Sequence, residues 1–333
     1  MQEKKDGRGE DSDPILFHNE NTIVVGVFDG MGGAGGAECD SDYTVNGQFM
    51  TKAYIGSRIV RDAIDKAING NPSIVLKEDF AEILKQIITE RYAAETEKYA
   101  PKAKAGLRSA LIKEYPTTLA ITTIVKDKDK YLIDSYWAGD SRNYIWNAKG
   151  LFQISIDDLK GNLDPLQNLH EDAPMSNCIQ ADGPFKIRHW HGELPLGAKF
   201  AVISATDGCF GYYPSPMDFH KALINSIKAS NDFESLKEKL TQAFAYVTAD
   251  DFSFSIAFVG FKKFKELNDF KSYDSSLKQY FYLRRDFEEK VRKSNRLKDE
   301  IVSMSKELDS VIEELWPKYK RSYLKYMDDY EER

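Results

Sequence analysis

Acidic residues recur in this 333-residue chain where an apolar run gives way to a turn. Asp29 ends the run NTIVVGVFD and is followed by Gly30-Met31-Gly32-Gly33. Asp207 follows KFAVISAT and precedes Gly208, while Asp140 follows SYWAG and precedes Ser141-Arg142. Asp250 and Asp251 stand just before the last apolar run of the body, and Glu10 and Asp11 just before the first. The chemistry that wants carboxylates in such positions is a hard-cation site, because Mg2+ and Mn2+ prefer oxygen ligands. Clustered carboxylates resist ionising together unless a cation offsets their charge. Gly30, Gly32 and Gly33 allow close backbone approach without a Cβ in the way. Taken singly, each Asp-Gly is equally a turn signal. The argument rests on their order and context.

The elements that must position these residues can be read from periodicity. Residues 21–29 form a continuous apolar run, the pattern of a strand buried on both faces. Residues 45–68 and 80–99 have helical periodicity, with Phe49, Ala53, Ile59, Val60, Ala63 and Ile64 on one side of the first. Strands are expected over 117–125, 130–138, 143–147, 151–156, 186–191 and 199–205. Two more helices follow over 217–229 and 233–248, then a final strand over 252–261. Two helices, many strands, two helices and one strand is an α+β order. It argues for stacked sheets flanked by helices.

The last 70 residues differ from the body. They contain no Gly and one Pro, Pro317. Leu297, Ile301, Met304, Leu308, Val311 and Leu315 recur at spacings of four and three, and Tyr319, Tyr323, Tyr326 and Tyr330 continue the rhythm. This is an a/d seam on a helix. Pro317 either kinks that helix or opens a second one. The stripe has two readings of equal weight: packing on its own domain, or a homodimer or protein partner through residues 264–333. The expected organisation is one domain over 1–262 and a charged helical tail over 263–333.

Charge separates the two parts. Residues 264–333 hold 16 basic and 16 acidic residues, so the whole net charge of −7 belongs to the first 263. An acidic body excludes nucleic acid as the expected partner, since phosphate contacts need a basic face. No apolar run reaches the roughly 20 residues of a membrane helix, and the first residues carry no signal-peptide core. Cys39, Cys178 and Cys209 are odd in number and far apart, which fits neither a disulfide framework nor a zinc site. A cytoplasmic location is the expectation.

Taken in order, Glu10-Asp11, VFDGMGG (27–33), PTTLAITTIV (116–125), AGDSRNYIW (138–146), SATDG (204–208) and DDFSFSIAFV (250–259) resemble the metal-dependent protein phosphatases, the type 2C serine/threonine phosphatases or PPM family. The resemblance spans about residues 7–261. It implies a four-layer α/β/β/α sandwich of two antiparallel sheets flanked by helices, with two Mn2+ or Mg2+ ions at one end. It also implies hydrolysis of phosphoserine or phosphothreonine in a phosphorylated protein substrate by a metal-bridged water. Carried over by motif, Asp29 bridges the metals and the Gly30 carbonyl binds one. Asp207 and Asp250 hold the first, Glu10 serves the second, and Asp11 orients water.

Several positions depart from the family pattern. Met31 stands where many members carry a histidine, as it does in bacterial members. Asp6 stands where a phosphate-binding Arg is usual, which leaves Arg8 as the candidate anchor. The third-metal site retains Asp140 but has Gly211 at its second position, so a third metal is expected to be weak or absent. Asp140 is then a structural group of its loop beside Arg142. Asp158, in SIDD, replaces a family His. Residues 160–176 fall where the family carries its flap beside the active site. His189 and His191 could pair on a metal from one strand face, but without a third ligand a packed or surface strand is the preferred reading. The competing functional readings are a weakly active or inactive module that binds a partner through its tail, and a hydrolase of other phosphoesters.

Overall fold

The computed structural model describes residues 1–3, 8–36, 39, 44–45, 47–96, 113–161, 164–171, 173–271, 277–293 and 298–327. Two antiparallel sheets form its centre. The first is built from β1 (Ile15–His18), β2 (Thr22–Val27), β5 (Leu119–Asp127), β6 (Lys130–Ala138) and β9 (Arg188–Pro195), in the order β1-β2-β5-β6-β9. The second contains β7 (Arg142–Asn147), β8 (Gly150–Gln153), β10 (Phe200–Ala205) and β11 (Phe254–Val259), in the order β11-β10-β7-β8.

The uninterrupted apolar runs of the sequence follow from sheets covered on both faces. Successive side chains of a strand point to opposite faces. On β2, Val24 accordingly packs outward with Ile64, Leu84 and Ile88 of two helices, α2 (Lys52–Gly70) and α3 (Phe80–Thr96). Its neighbour Val25 packs inward with Trp137, Ile145 and Val202 between the sheets. On the far side, Ala201 and Ile203 of β10 meet Phe219, Leu223, Leu240 and Phe244. These come from α5 (Pro216–Lys228) and α6 (Phe233–Val247). The result is the expected four-layer α/β/β/α sandwich. Polar residues bridge the two sheets: buried Asn143 donates to Ser135 Oγ at 2.9 Å and the Ile121 carbonyl at 3.1 Å, and accepts from Ser204 Oγ at 2.6 Å, while Ser255 Oγ donates to the Ile15 carbonyl at 2.8 Å.

Three expectations need correction. The helix foreseen from residue 45 starts at Lys52, because Gly47 has φ +75° in a short hairpin of β3 (Thr44–Val45) and β4 (Gln48–Phe49). Thr51 caps α2 by accepting from the Tyr54 amide at 3.1 Å. The strand foreseen over 151–156 stops at Gln153, and the next residues turn so that Asp157 and Asp158 reach arginines. The strand foreseen over 186–191 is Arg188–Pro195, paired along its length with β6.

In the tail, α7 (Leu277–Lys293) packs on α8 (Lys298–Tyr323), which continues through Pro317. Leu308 and Leu315 are buried with Met217 of α5, and Trp316 and Tyr323 with Tyr144 and Trp146 of β7. Beyond α8, Tyr326 lies against Phe152 and Trp190, at the edges of both sheets. Leu297 and Tyr330 of the seam lie outside the described residues.

Candidate active site

Register explains why residues far apart in sequence meet. Val27 pairs with Ala120, Leu119 with Ala138, and Ala205 with both Arg142 and Phe254. The ends of β2, β6 and β10 and the starts of β7 and β11 therefore lie at one end of the sandwich. Asp29, Asp140, Asp207 and the Asp250-Asp251 pair project from those ends. Glu10 and Asp11 join them from the segment before β1, where the Ser12 amide bonds the Phe28 carbonyl at 3.1 Å.

The seven carboxylates line a cleft of about 350 Å³ together with Gly30, Met31, Gly32, Gly33 and Met175. Among the described residues, no Lys, Arg or His lines it. Burial pushes the Asp29 carboxyl well above the usual range, and the charges of Asp11, Asp207 and Asp140 push it further. Asp11 is also well raised, by burial with Asp207 and Asp251 adding, against a hydrogen bond from Thr206 Oγ1 at 2.9 Å. Burial likewise raises Asp140, Asp207 and Glu10. These acids therefore ionise less readily than free carboxyls, and a cation among them would favour their ionised forms.

Hydroxyl, amide and guanidinium donors hold the acid-bearing segments in place. Thr51 Oγ1 gives its hydrogen bond to Glu10 Oε1 at 2.6 Å while capping α2. The Glu10 amide donates to Asp251 Oδ2 at 2.7 Å, and Ser57 Oγ donates to the Glu10 carbonyl at 2.6 Å. Arg58, 3.3 Å above the Tyr54 ring, donates to the Gly9 carbonyl at 3.1 Å. The Asp29 carbonyl accepts from Thr117 Oγ1 at 2.7 Å and the Thr118 amide at 2.8 Å. A Cβ on Gly30 would collide with the Glu10 and Ala53 carbonyls, and one on Gly32 with Glu10 Oε2. The glycines of the Asp-Gly motif thus let the Glu10 segment and the Asp29 loop touch.

An all-oxygen donor set fits a hard divalent cation in type and number. Among the described residues, no group of three or more His, Cys, Asp or Glu side chains already stands in a metal-holding arrangement.

The structure thus brings together Glu10, Asp11, Asp29, Gly30, Asp140, Asp207 and Asp250. Arg8 is exposed and is not among the residues that line the cleft. Asp6 lies outside the described residues. Asp140 lines the cleft, whereas the partner of Arg142 is Asp157, bonded at 2.8 and 2.6 Å. Asp158 anchors the Asp140 turn by accepting from the Gly139 amide at 3.2 Å, and also binds Asn177 and Arg188. His189 and His191 both bond Asp134 Oδ1, at 2.7 and 2.9 Å, on an exposed strand face away from the cleft.

Sequence reasoning missed Thr51, Thr206, Arg58 and Asp157. Of these, only Thr51 left a signal, as a Thr ahead of a helical run.

No protein-family model matches the chain, and no curated protein matches it. Solved structures do. A bacterial serine phosphatase is 17% identical with a TM-score of 0.51, covering 76% of this chain and 92% of that one. Stp1 of Staphylococcus aureus is 16% identical with a TM-score of 0.49, covering 75% and 88%. The catalytic domain of the serine/threonine phosphatase PstP, in a structure with two manganese ions, is 12% identical with a TM-score of 0.46, covering 76% and 92%. The fold is that of the bacterial type 2C serine/threonine phosphatases.

Proposed function

We propose that this protein is a serine/threonine protein phosphatase dependent on two Mn2+ or Mg2+ ions. The observation that carries the reading is the convergence of seven carboxylates, with no basic residue among the described residues that line the cleft, at one end of the sandwich. Acids that raise one another's pKa are costly to gather, and they match a cation pair.

Asp207 and Asp250 would hold the first ion and Glu10 would serve the second, with Asp29 shared between them and the Gly30 carbonyl binding one of the two. When bound, the ions supply an ionised water and neutralise charge on the phosphoryl oxygens. The chain's own contribution is placement. Thr206 fixes Asp11 for orienting that water, Thr51 fixes Glu10, and Thr117 and Thr118 fix the Asp29 loop. Met31 lines the cleft but carries no proton. The leaving alkoxide therefore takes its proton from solvent or from another group. The expected substrate is a phosphorylated protein, and the expected location is cytoplasmic. Among the described residues no helix is long and apolar enough to cross a membrane.

The test is hydrolysis of p-nitrophenyl phosphate and of a phosphothreonine peptide with Mn2+, with EDTA, and in Asp29→Asn and Asp207→Asn. The expectation is turnover only with metal and with both aspartates. Turnover that survives EDTA or both substitutions refutes the mechanism. A folded protein that hydrolyses neither substrate makes the chain a binding module.

A further inference from the structure

The segment beside the cleft is held from the far end of the chain. Asp164 lies within the candidate flap, residues 160–176. Its Oδ2 accepts from Trp316 Nε1 at 2.7 Å and from Lys320 Nζ at 2.8 Å, while Oδ1 accepts from the Leu166 amide at 2.9 Å. Trp316 and Lys320 are four apart on α8, so they share one helix face. Burial pushes the Asp164 carboxyl up, but Lys320 and Trp316 outweigh it and hold the group below its ordinary range.

Packing repeats the connection. Leu166 and Leu169 lie against the cluster that contains Trp316 and Tyr323. Asn168 Nδ2 bonds Asp157 Oδ2 at 2.9 Å. An exposed ion pair contributes little. This one differs because the Asp164 side chain is 14% exposed and receives four donors, one from a buried tryptophan.

The held segment forms a wall. A second cavity of about 330 Å³ shares Asp140 and Asp207 with the acidic cleft, and Asn168, Leu169, His170 and Glu171 line it opposite Tyr212. A phosphoryl group alone needs only the acidic cleft. The polypeptide around a phosphoresidue needs room beside it, and the adjoining cavity supplies that room.

We infer that α8 sets the position of this flap, and that Trp316 and Lys320 are positioning residues for polypeptide recognition. The substrate half of the inference rests on the phosphatase reading above.

The test uses the full chain and two substitutions, alone and combined. Trp316→Phe keeps the ring but removes its N–H, and Lys320→Met keeps the stem but removes the charge. Hydrogen exchange on metal-free protein reads the flap directly, and steady-state kinetics with Mn2+ reads its consequence. In the double variant, exchange over residues 164–171 is expected to accelerate about tenfold. KM for a phosphothreonine peptide should rise by about tenfold, the equivalent of ~1.4 kcal/mol. Hydrolysis of p-nitrophenyl phosphate should stay within about twofold. Lys320→Arg, which keeps the charge, should leave the flap protected.

Unchanged exchange overturns the clamp. Equal losses on both substrates, or on neither, overturn the positioning role. A wild-type chain that hydrolyses neither substrate overturns the phosphatase reading together with the substrate half, and the exchange data still decide the clamp. If the double variant also exchanges fast in β5 and β10, it has unfolded globally, and Lys320→Met alone then decides.

Discussion

Replacing Asp157 by leucine isolates one charge beneath the cleft. Arg142 is 1% exposed, and its guanidinium meets Asp157 through two bonds, at 2.8 and 2.6 Å. Burial alone would favour a neutral guanidinium, but Asp157 outweighs it and keeps the group charged in the fold. The aromatic face of Phe210, 4.3 Å away, and the Pro165 carbonyl, 3.4 Å away, are weaker partners than a carboxylate. An exposed pair of this kind would be worth about 0–1 kcal/mol. A buried one that loses a single partner costs about 3–5 kcal/mol, because the remaining charge is stranded. That is a large fraction of the roughly 5–15 kcal/mol typical of a whole domain.

Replacing both partners, as Arg142→Met with Asp157→Leu, removes the stranded charge. It should recover most of the loss, since well-packed apolar substitutes for buried pairs are often neutral. Urea unfolding of the metal-free chain, followed by tryptophan fluorescence, measures both effects. A single variant that loses less than about 1 kcal/mol, or a double variant no better than the single one, refutes the account.

Two further predictions are more local. Thr51→Val removes both the α2 cap and the bond to Glu10. It should cost about 1 kcal/mol of stability and raise the Mn2+ concentration for half-maximal thermal stabilisation by about tenfold; an unshifted titration contradicts the assigned role of Thr51. His220 is buried against Trp146, and burial lowers its pKa from 6.5 to about 4. Between those values the unfolded chain takes up a proton that the folded chain refuses. Stability should therefore fall with pH through that window, by up to about 3 kcal/mol, and no further below pH 4. The raised carboxyls of the cleft titrate in the opposite sense, so the measurement is the difference in urea stability between wild type and His220→Phe at pH 7 and pH 4.5. Equal pH slopes refute the prediction.

The strands were legible where burial on both faces produced long apolar runs, as in β2 and β10. β6 was read at its observed bounds because turn residues flank it. The start of α2 was misread because Phe49 and Met50 continue the apolar spacing of the helix backwards, and periodicity does not register the turn at Gly47. The tail stripe was visible, but its cover was not. Tyr323 is buried against Tyr144, and nothing in either local pattern links β7 to a helix far downstream. The aspartates of the cleft were readable because each sits at a strand end. Their supporting groups were not: Thr51 lies 41 positions from Glu10 and Thr206 lies 195 from Asp11. A hydroxyl that pairs at such a distance leaves no mark on sequence.

The same contrast explains how the fold carries a site that works against it. Gathering carboxylates at one end opposes folding, since burial and mutual repulsion raise the cost of ionising Asp11, Asp29, Asp140, Asp207 and Glu10. Among the described residues no basic side chain lines the cleft. What offsets the cost is Arg58 beside Glu10 and Arg142 beside Asp140 and Asp207, hydroxyl and amide donors at the edge, chiefly from Thr51 and Thr206, and apolar burial placed elsewhere. Trp137 and Trp146 are fully buried in different layers, and a side chain of that size contributes on the order of 3 kcal/mol or more. Stability and chemistry are thus divided in space. The sandwich and the docked tail supply the stability, and the acidic end spends part of it in presenting oxygen donors to a cation.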